Sequence, residues 1–327
     1  MSNFTIHETQ SYYIHLLERV RNAKSNINIT SFDLIYDQKT KPLLDEVILA
    51  AKRGVSVTLS ADTMTFNEIR KKYFGPIDTK HSSSLPMRNF IDKLEEAGGK
   101  FIWLSKTDLI NPYKGRNHEK WSIVDEDIFC FGGINLYKSG FNANDFMFHT
   151  NNPKLARQLK TEHQKIITNY EKFEGAYYVI NDKSEFFIDS GKVNSSTIYN
   201  HACKLAKIAK AVTYVSQYYP TGKLGRYLKH TKTTYYVNRP SNAKGLPKLM
   251  LIFDMLRCRI KNSYHKKRYL HAKFIIFTMH DGSEVAITGS HNFSYAGVRY
   301  GTIEIAMKTS DTSIVSQLKS FVYKISN

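Results

Sequence analysis

A tripeptide, His-x-Lys, occurs twice in this chain in matching surroundings. His118 and Lys120 are followed, after four intervening residues, by Asp125, then by Gly132 and Gly133, with Asn135 two residues beyond. His271 and Lys273 stand 153 residues later (271 − 118) and lead into Gly289, Ser290 and Asn292. In 327 residues, a repeat of this kind constrains the fold more than any local propensity. It calls for two copies of one supersecondary unit, each presenting half of a site.

The segments before each motif repeat as well. Residues 8 to 24 have the spacing of an amphipathic helix, NINITSFDLI alternates as a strand, KPLLDEVILAAKRG is a helix closing at Gly54, and VSVTLSAD is a strand. In the second half TIYNHACKLAKIAKA reads as helix, VTYVSQYY as strand, LGRYLKHT as helix and TTYYVNR as strand. HEKWSIV and HAKFIIF then read as strands, so each His and its Lys share a face. The turns that follow, at 125–127 and 279–283, have hairpin chemistry. Helices interleaved with strands predict an α/β (α+β) fold of two similar halves, 1–172 and 173–327. Each half is expected to be a mixed sheet flanked by helices, with the site where the two meet.

Charge narrows the partner. The formal net charge is +18, and residues 201 to 280 hold 17 Lys or Arg against one acid, Asp254. So uncompensated a field implies an anionic partner. The three cysteines, Cys130, Cys203 and Cys258, are scattered and form no CxxC pair, which suggests neither a disulfide framework nor a zinc cluster. No apolar run has the length of a bilayer span, and the N-terminus lacks a basic region followed by an apolar one. A cytoplasmic protein is expected, with a peripheral place at the inner face of the membrane.

A His beside a Lys suits attack on phosphorus. Imidazole is nucleophilic at neutral pH, and an ammonium neutralises a non-bridging phosphate oxygen. Gly132, Gly133, Gly289 and Ser290 would let backbone approach an anion, and the Asn135 and Asn292 amides would donate to it. Two such sets together would make one phosphodiester site, with one His neutral to attack and the other protonated to release the alcohol. No metal or other cofactor is expected, because His-x-Lys supplies one ligand and one repelling cation.

The motif resembles that of the phospholipase D superfamily. The first copy fits fully, and the second has Thr278 where the Asp would fall, with Asp281 nearby. The resemblance implies that Asp125 is structural, that Asp145 and Glu304 orient the motif histidines, and that His118 attacks phosphorus while His271 protonates the leaving alcohol. Within the superfamily, FDLIYDQKTKPLLDEVILAAKRGVSVTLSAD and NHEKWSIVDEDIFCFGGINL are similar to bacterial cardiolipin synthases. GSHNFSYAGVRYGTIE, by contrast, is closer to generic members that include nucleases. The expectation is a phosphatidyltransferase or phospholipase D acting on phospholipids at an anionic membrane surface through a covalent phosphohistidine. The alternative is a metal-independent nuclease acting on DNA or RNA, in which the same basic block would track a phosphate backbone.

Overall fold

The computed structural model describes residues 4–73, 75–107 and 111–327, with the side chains of Glu171 and Leu246 left aside. Among the described residues, fourteen strands form two seven-stranded sheets. The first contains β1 (Thr5–Glu8), β2 (Asn26–Ser31), β3 (Ser56–Asp62), β4 (Lys100–Leu104), β5 (Trp121–Val124), β6 (Asp127–Cys130) and β7 (Phe146–Asn151). The second contains β8 (Ala176–Asn181), β9 (Ser184–Ile188), β10 (Ala211–Ser216), β11 (Lys232–Val237), β12 (Phe274–Thr278), β13 (Glu284–Gly289) and β14 (Ile305–Thr309).

Strand order carries the duplication predicted from the motifs. The first sheet runs β1-β7-β6-β5-β2-β3-β4, and the second, read in the matching direction, runs β8-β9-β14-β13-β12-β10-β11. Six strands correspond in order: β1 with β9, β7 with β14, β6 with β13, β5 with β12, β2 with β10, and β3 with β11. The directions agree too, because β2 and β3 are parallel, as are β10 and β11, while the hairpins β5–β6 and β12–β13 are antiparallel. The copies differ at opposite edges, where β4 extends the first sheet beside β3 and β8 extends the second beside β9. Strands β1, β8 and β9 escape the sequence pattern because they are short or lie outside the repeated succession.

Alternation along the strands divides the core. Trp121 and Ile123 of β5, Phe146 and Phe148 of β7, Phe186 of β9, and Phe274 and Ile276 of β12 belong to one buried cluster contributed by both sheets. Their neighbours Met147, Ile275 and Phe277 belong to two further clusters beneath the outer helices. Two long helices complete the shared cluster with Leu155, Leu159, Ile166, Ile314, Leu318 and Phe321. Their starts are fixed locally. Asn152 accepts from Leu155 N ahead of Pro153–Thr168, and Asp311 accepts from Ser313 N ahead of Thr312–Ser326. Among the described residues, no helix is long and apolar enough to cross a membrane.

Asp125 is the turn residue of the β5–β6 hairpin, at φ +54°. Its carboxylate accepts from the backbone N–H of Lys24, Ser25 and Asn26 and from Ser25 Oγ, clamping the hairpin to the start of β2. In the second half, Thr278 makes no such clamp: its hydroxyl donates to Glu284. Asp281 accepts from Ser283 N and Oγ within its own turn, so it closes the longer hairpin without reaching the preceding strand.

Candidate functional site

The two His-x-Lys segments are extended, but the regular strands begin just after them, at Trp121 and Phe274. The sequence pattern placed the motif residues on those strands. They instead lie at the strand entrances, where the chain leaves the ladder and crosses to the other half. His118 N donates to Ile303 O at 2.8 Å, and His271 N donates to Asn144 O at 2.9 Å. Each motif is thus tied by backbone to the half that does not contain it.

The carboxylates cross over in the same way. His118 Nδ1 is 2.9 Å from Glu304 Oε2, and His271 Nδ1 is 2.7 Å from Asp145 Oδ2. A carboxylate on Nδ1 favours the tautomer with its proton there, which puts the ring lone pair on each Nε2. Glu304 also accepts from Ser290 Oγ at 2.5 Å, while Asp145 Oδ1 accepts from Phe146 N at 2.8 Å. Each lysine folds back onto its own histidine: Lys120 Nζ donates to His118 O at 2.7 Å and Lys273 Nζ to His271 O at 2.5 Å. Lys273 Nζ also lies 3.0 Å from His271 Nδ1 and 3.3 Å from Nε2.

Burial and mutual repulsion set the protonation states. Burial, reinforced by Lys120 and Lys273, holds the His118 imidazole well below its usual range. Burial, followed by Lys273, brings His271 down to about 4 despite the Asp145 hydrogen bond. Burial also lowers Lys120 to about 8 and Lys273 to about 7. Both imidazoles are therefore neutral at pH 7. The pressure on both rings comes from burial and from the two motif lysines.

The glycines have a packing cause. A Cβ on Gly132 would lie 1.8 Å from the Phe146 carbonyl oxygen, and one on Gly289 would lie 2.1 Å from that of Ile305. Both positions are squeezed against the neighbouring strand. Gly133 borders the cluster itself, since its Cβ would meet Asp145 Oδ2 at 2.7 Å and Lys273 Nζ at 2.9 Å. The corresponding residue in the second half, Ser290, spends its hydroxyl on Glu304 and accepts from Ile305 N. Asn135 is buried and its Oδ1 accepts from Asp33 N at 3.4 Å. Asn292 Oδ1 is buried without a partner among the described residues.

Several groups in and around the cluster were not singled out from sequence. Phe32 sets its ring edge-to-face with His118, centroids 4.8 Å apart, and Lys120 Nζ lies 5.5 Å from the same ring. Asp33, next in the chain, is buried with Oδ1 unpartnered among the described residues, and burial raises its pKa well above the usual carboxylate value. Beneath His118, Asp62 accepts from Arg116 Nη1, Asn117 N and Ser105 Oγ, bracing the approach to the motif. A signal existed for Phe32, Asp33 and Asp62, because Phe-Asp and Asp stand where the parallel strands β2 and β3 end. Among the described residues, no group of three or more His, Cys, Asp or Glu is arranged to hold a metal ion.

Residues 16–167 match the family model described as cardiolipin synthase, PLD-like domain. Over 124 residues the chain is 31% identical to cardiolipin synthase 2 of Staphylococcus epidermidis, covering 37% of this chain and 22% of that protein. Over 128 residues it is 28% identical to a cardiolipin synthase of Staphylococcus aureus, covering 39% and 23%. The chain thus matches little more than a fifth of the length of these relatives. The crystal structure of phosphatidylserine synthase from Haemophilus influenzae is similar over 98% of this chain and 86% of its own, with a TM-score of 0.76 at 10% identity. At that identity the likeness is one of fold.

Proposed function

Since the chain belongs to the phospholipase D superfamily, we propose that it is a phosphatidyltransferase or phospholipase D acting on phospholipid phosphodiesters. The observation that carries the reading is the crossed pairing, in which each histidine is oriented by a carboxylate from the other half. The matches to cardiolipin synthases support lipid over other phosphodiesters.

In this reading His118 Nε2 attacks phosphorus, its Nδ1 proton shared with Glu304. The P–O bond to the leaving alcohol breaks, and the alkoxide takes a proton from His271. Water or a second alcohol, deprotonated by His271, then attacks the phosphohistidine and breaks the P–N bond, restoring both rings. Lys120 and Lys273 neutralise the non-bridging oxygens as charge accumulates on them. Burial and the two lysines hold both imidazoles neutral, so the acid must gain its proton with the substrate. An anionic phosphodiester between the lysines offsets the positive field that keeps His271 down.

Two outcomes check this. Pure protein incubated in EDTA with phosphatidylglycerol vesicles, and separately with single- and double-stranded DNA and RNA, should turn over lipid alone, because the lysines supply the charge a metal would bring. Cleavage of nucleic acid without lipid turnover would establish the nuclease alternative. Loss in chelator, restored by zinc or magnesium, would contradict the mechanism.

The second outcome is a pH profile. A lysine with a lowered pKa keeps its charge below that value and loses it above. The kcat/KM profile, which reports the free enzyme, should therefore fall as pH rises through about 7 to 8, the values of Lys273 and Lys120. An alkaline limb near the ordinary lysine value of about 10.4 would mean that burial does not depress the required ammonium, and no alkaline limb at all would mean that neither ammonium is needed.

A further inference from the structure

The helix Gly245–Cys258 carries much of its apolar surface outward. Its inner stripe holds Leu251 and Cys258, both buried. The partly buried Asp254 acts electrostatically on Tyr218 and Tyr219 from the same stripe. The outer stripe is Leu249, Phe253 and Leu256, exposed by 57%, 75% and 64%. Spaced i, i+4 and i+7, these three form one continuous face. Met250 and Met255, also exposed, flank it. Scattered exposed apolar side chains are ordinary, but a continuous face of them marks a contact surface.

What surrounds the face says what it contacts. Between residues 244 and 268 stand eight Lys or Arg and one acid, Asp254. Lys244, Lys248, Arg257, Arg259, Lys261 and Lys267 are exposed. An apolar stripe rimmed by cations matches the boundary of an anionic bilayer, where apolar side chains enter the acyl region and ammonium groups meet lipid phosphates. A nucleic acid would satisfy the cations and leave Phe253 in water. A second copy would set two like-charged rims against each other.

The helix is also tied to the stretch of chain that leads to His271. At its C-terminal end Cys258 Sγ donates to Pro220 O at 3.5 Å, beside Tyr218 and Tyr219. Asn242, just before the helix, donates to Lys266 O at 2.8 Å, within the segment that leads from the helix to His271. We propose that Gly245–Cys258 and its basic flanks dock the protein on anionic bilayers, with Phe253 inserted among the lipids. The inference extends the lipid reading of the site: docking would hold the His271 segment close to the headgroups.

Flotation with phosphatidylglycerol-containing vesicles and with pure phosphatidylcholine vesicles tests it. The wild type should float with the anionic vesicles only, and Phe253→Glu with Leu256→Glu should bind them at least tenfold more weakly. In a separate variant, Phe253→Trp, which keeps an aromatic at this exposed position, added emission should shift to the blue on anionic vesicles and be quenched by brominated phosphatidylglycerol. Undiminished flotation of the double variant, an unmoved Phe253→Trp emission, or equal binding to phosphatidylcholine would overturn the proposal. So would a wild-type dimer that the double variant converts to monomer, or a protein that binds DNA but no vesicle. No readout here involves turnover. Vesicle binding without lipid chemistry would therefore sink the proposed function and leave the docking surface standing; lipid turnover without helix-dependent binding would do the reverse.

Discussion

Replacing His118 by Ala should lower lipid turnover by about 10^4-fold or more, since the nucleophile and the group that orients it act as one unit. His271→Ala should cost about 10^2- to 10^4-fold, the range of a general acid–base residue, and the double variant should be no worse than His118→Ala alone. The leaving group separates the two roles. With a p-nitrophenyl phosphodiester, whose phenolate departs without a proton, His271→Ala should keep a rapid first turnover and accumulate acid-labile phosphohistidine at His118. The His118→Ala variant should form no adduct with either substrate. Label on His271 would exchange the roles while keeping the paired site. Half of wild-type activity in either single variant would dismantle the shared site altogether.

Gly132→Ala should destabilise the fold by roughly 3 kcal/mol or more, as overpacking does when the obstacle cannot move. Here the obstacle is backbone: the new Cβ would sit 1.8 Å from the Phe146 carbonyl oxygen. Relief requires β6 and β7 to separate where Cys130 pairs with Phe148, and both residues belong to the cluster shared by the two sheets. Gly54→Ala is the control, at φ +88° with nothing within 4 Å of the added carbon. It should cost about 1 kcal/mol from left-handed strain alone. Equal denaturation midpoints for the two variants would show that strand spacing at Gly132 is softer than the geometry implies.

Much of this was legible in the sequence because its signals are periodic or repeated. The duplicated motif forecast two matched sheets, and the strands read from VSVTLSAD and VTYVSQYY stand where the sequence placed them. The four residues His118, Lys120, His271 and Lys273 were visible for the same reason. The pairing of carboxylates was not. Asp145 and Glu304 each follow a motif in their own half, and nothing along the chain says that Glu304 lies 186 positions from the ring it orients. Such a contact is decided by how two sheets dock, a property of buried surface that no local pattern encodes. The glycines illustrate the converse, because their identity was plain while its cause, a carbonyl on the adjacent strand, was not.

The crossed carboxylates also bear on biosynthesis. A ribosome that has made only the first 200 residues has already produced His118, but Glu304 and Ser290 do not yet exist. The newly made Asp145 likewise has no ring to hold. On the proposed mechanism, an unfinished product lacks the carboxylate that orients His118 however well its first sheet is formed, and phosphodiester chemistry would begin only once the segment leading into β14 is seated.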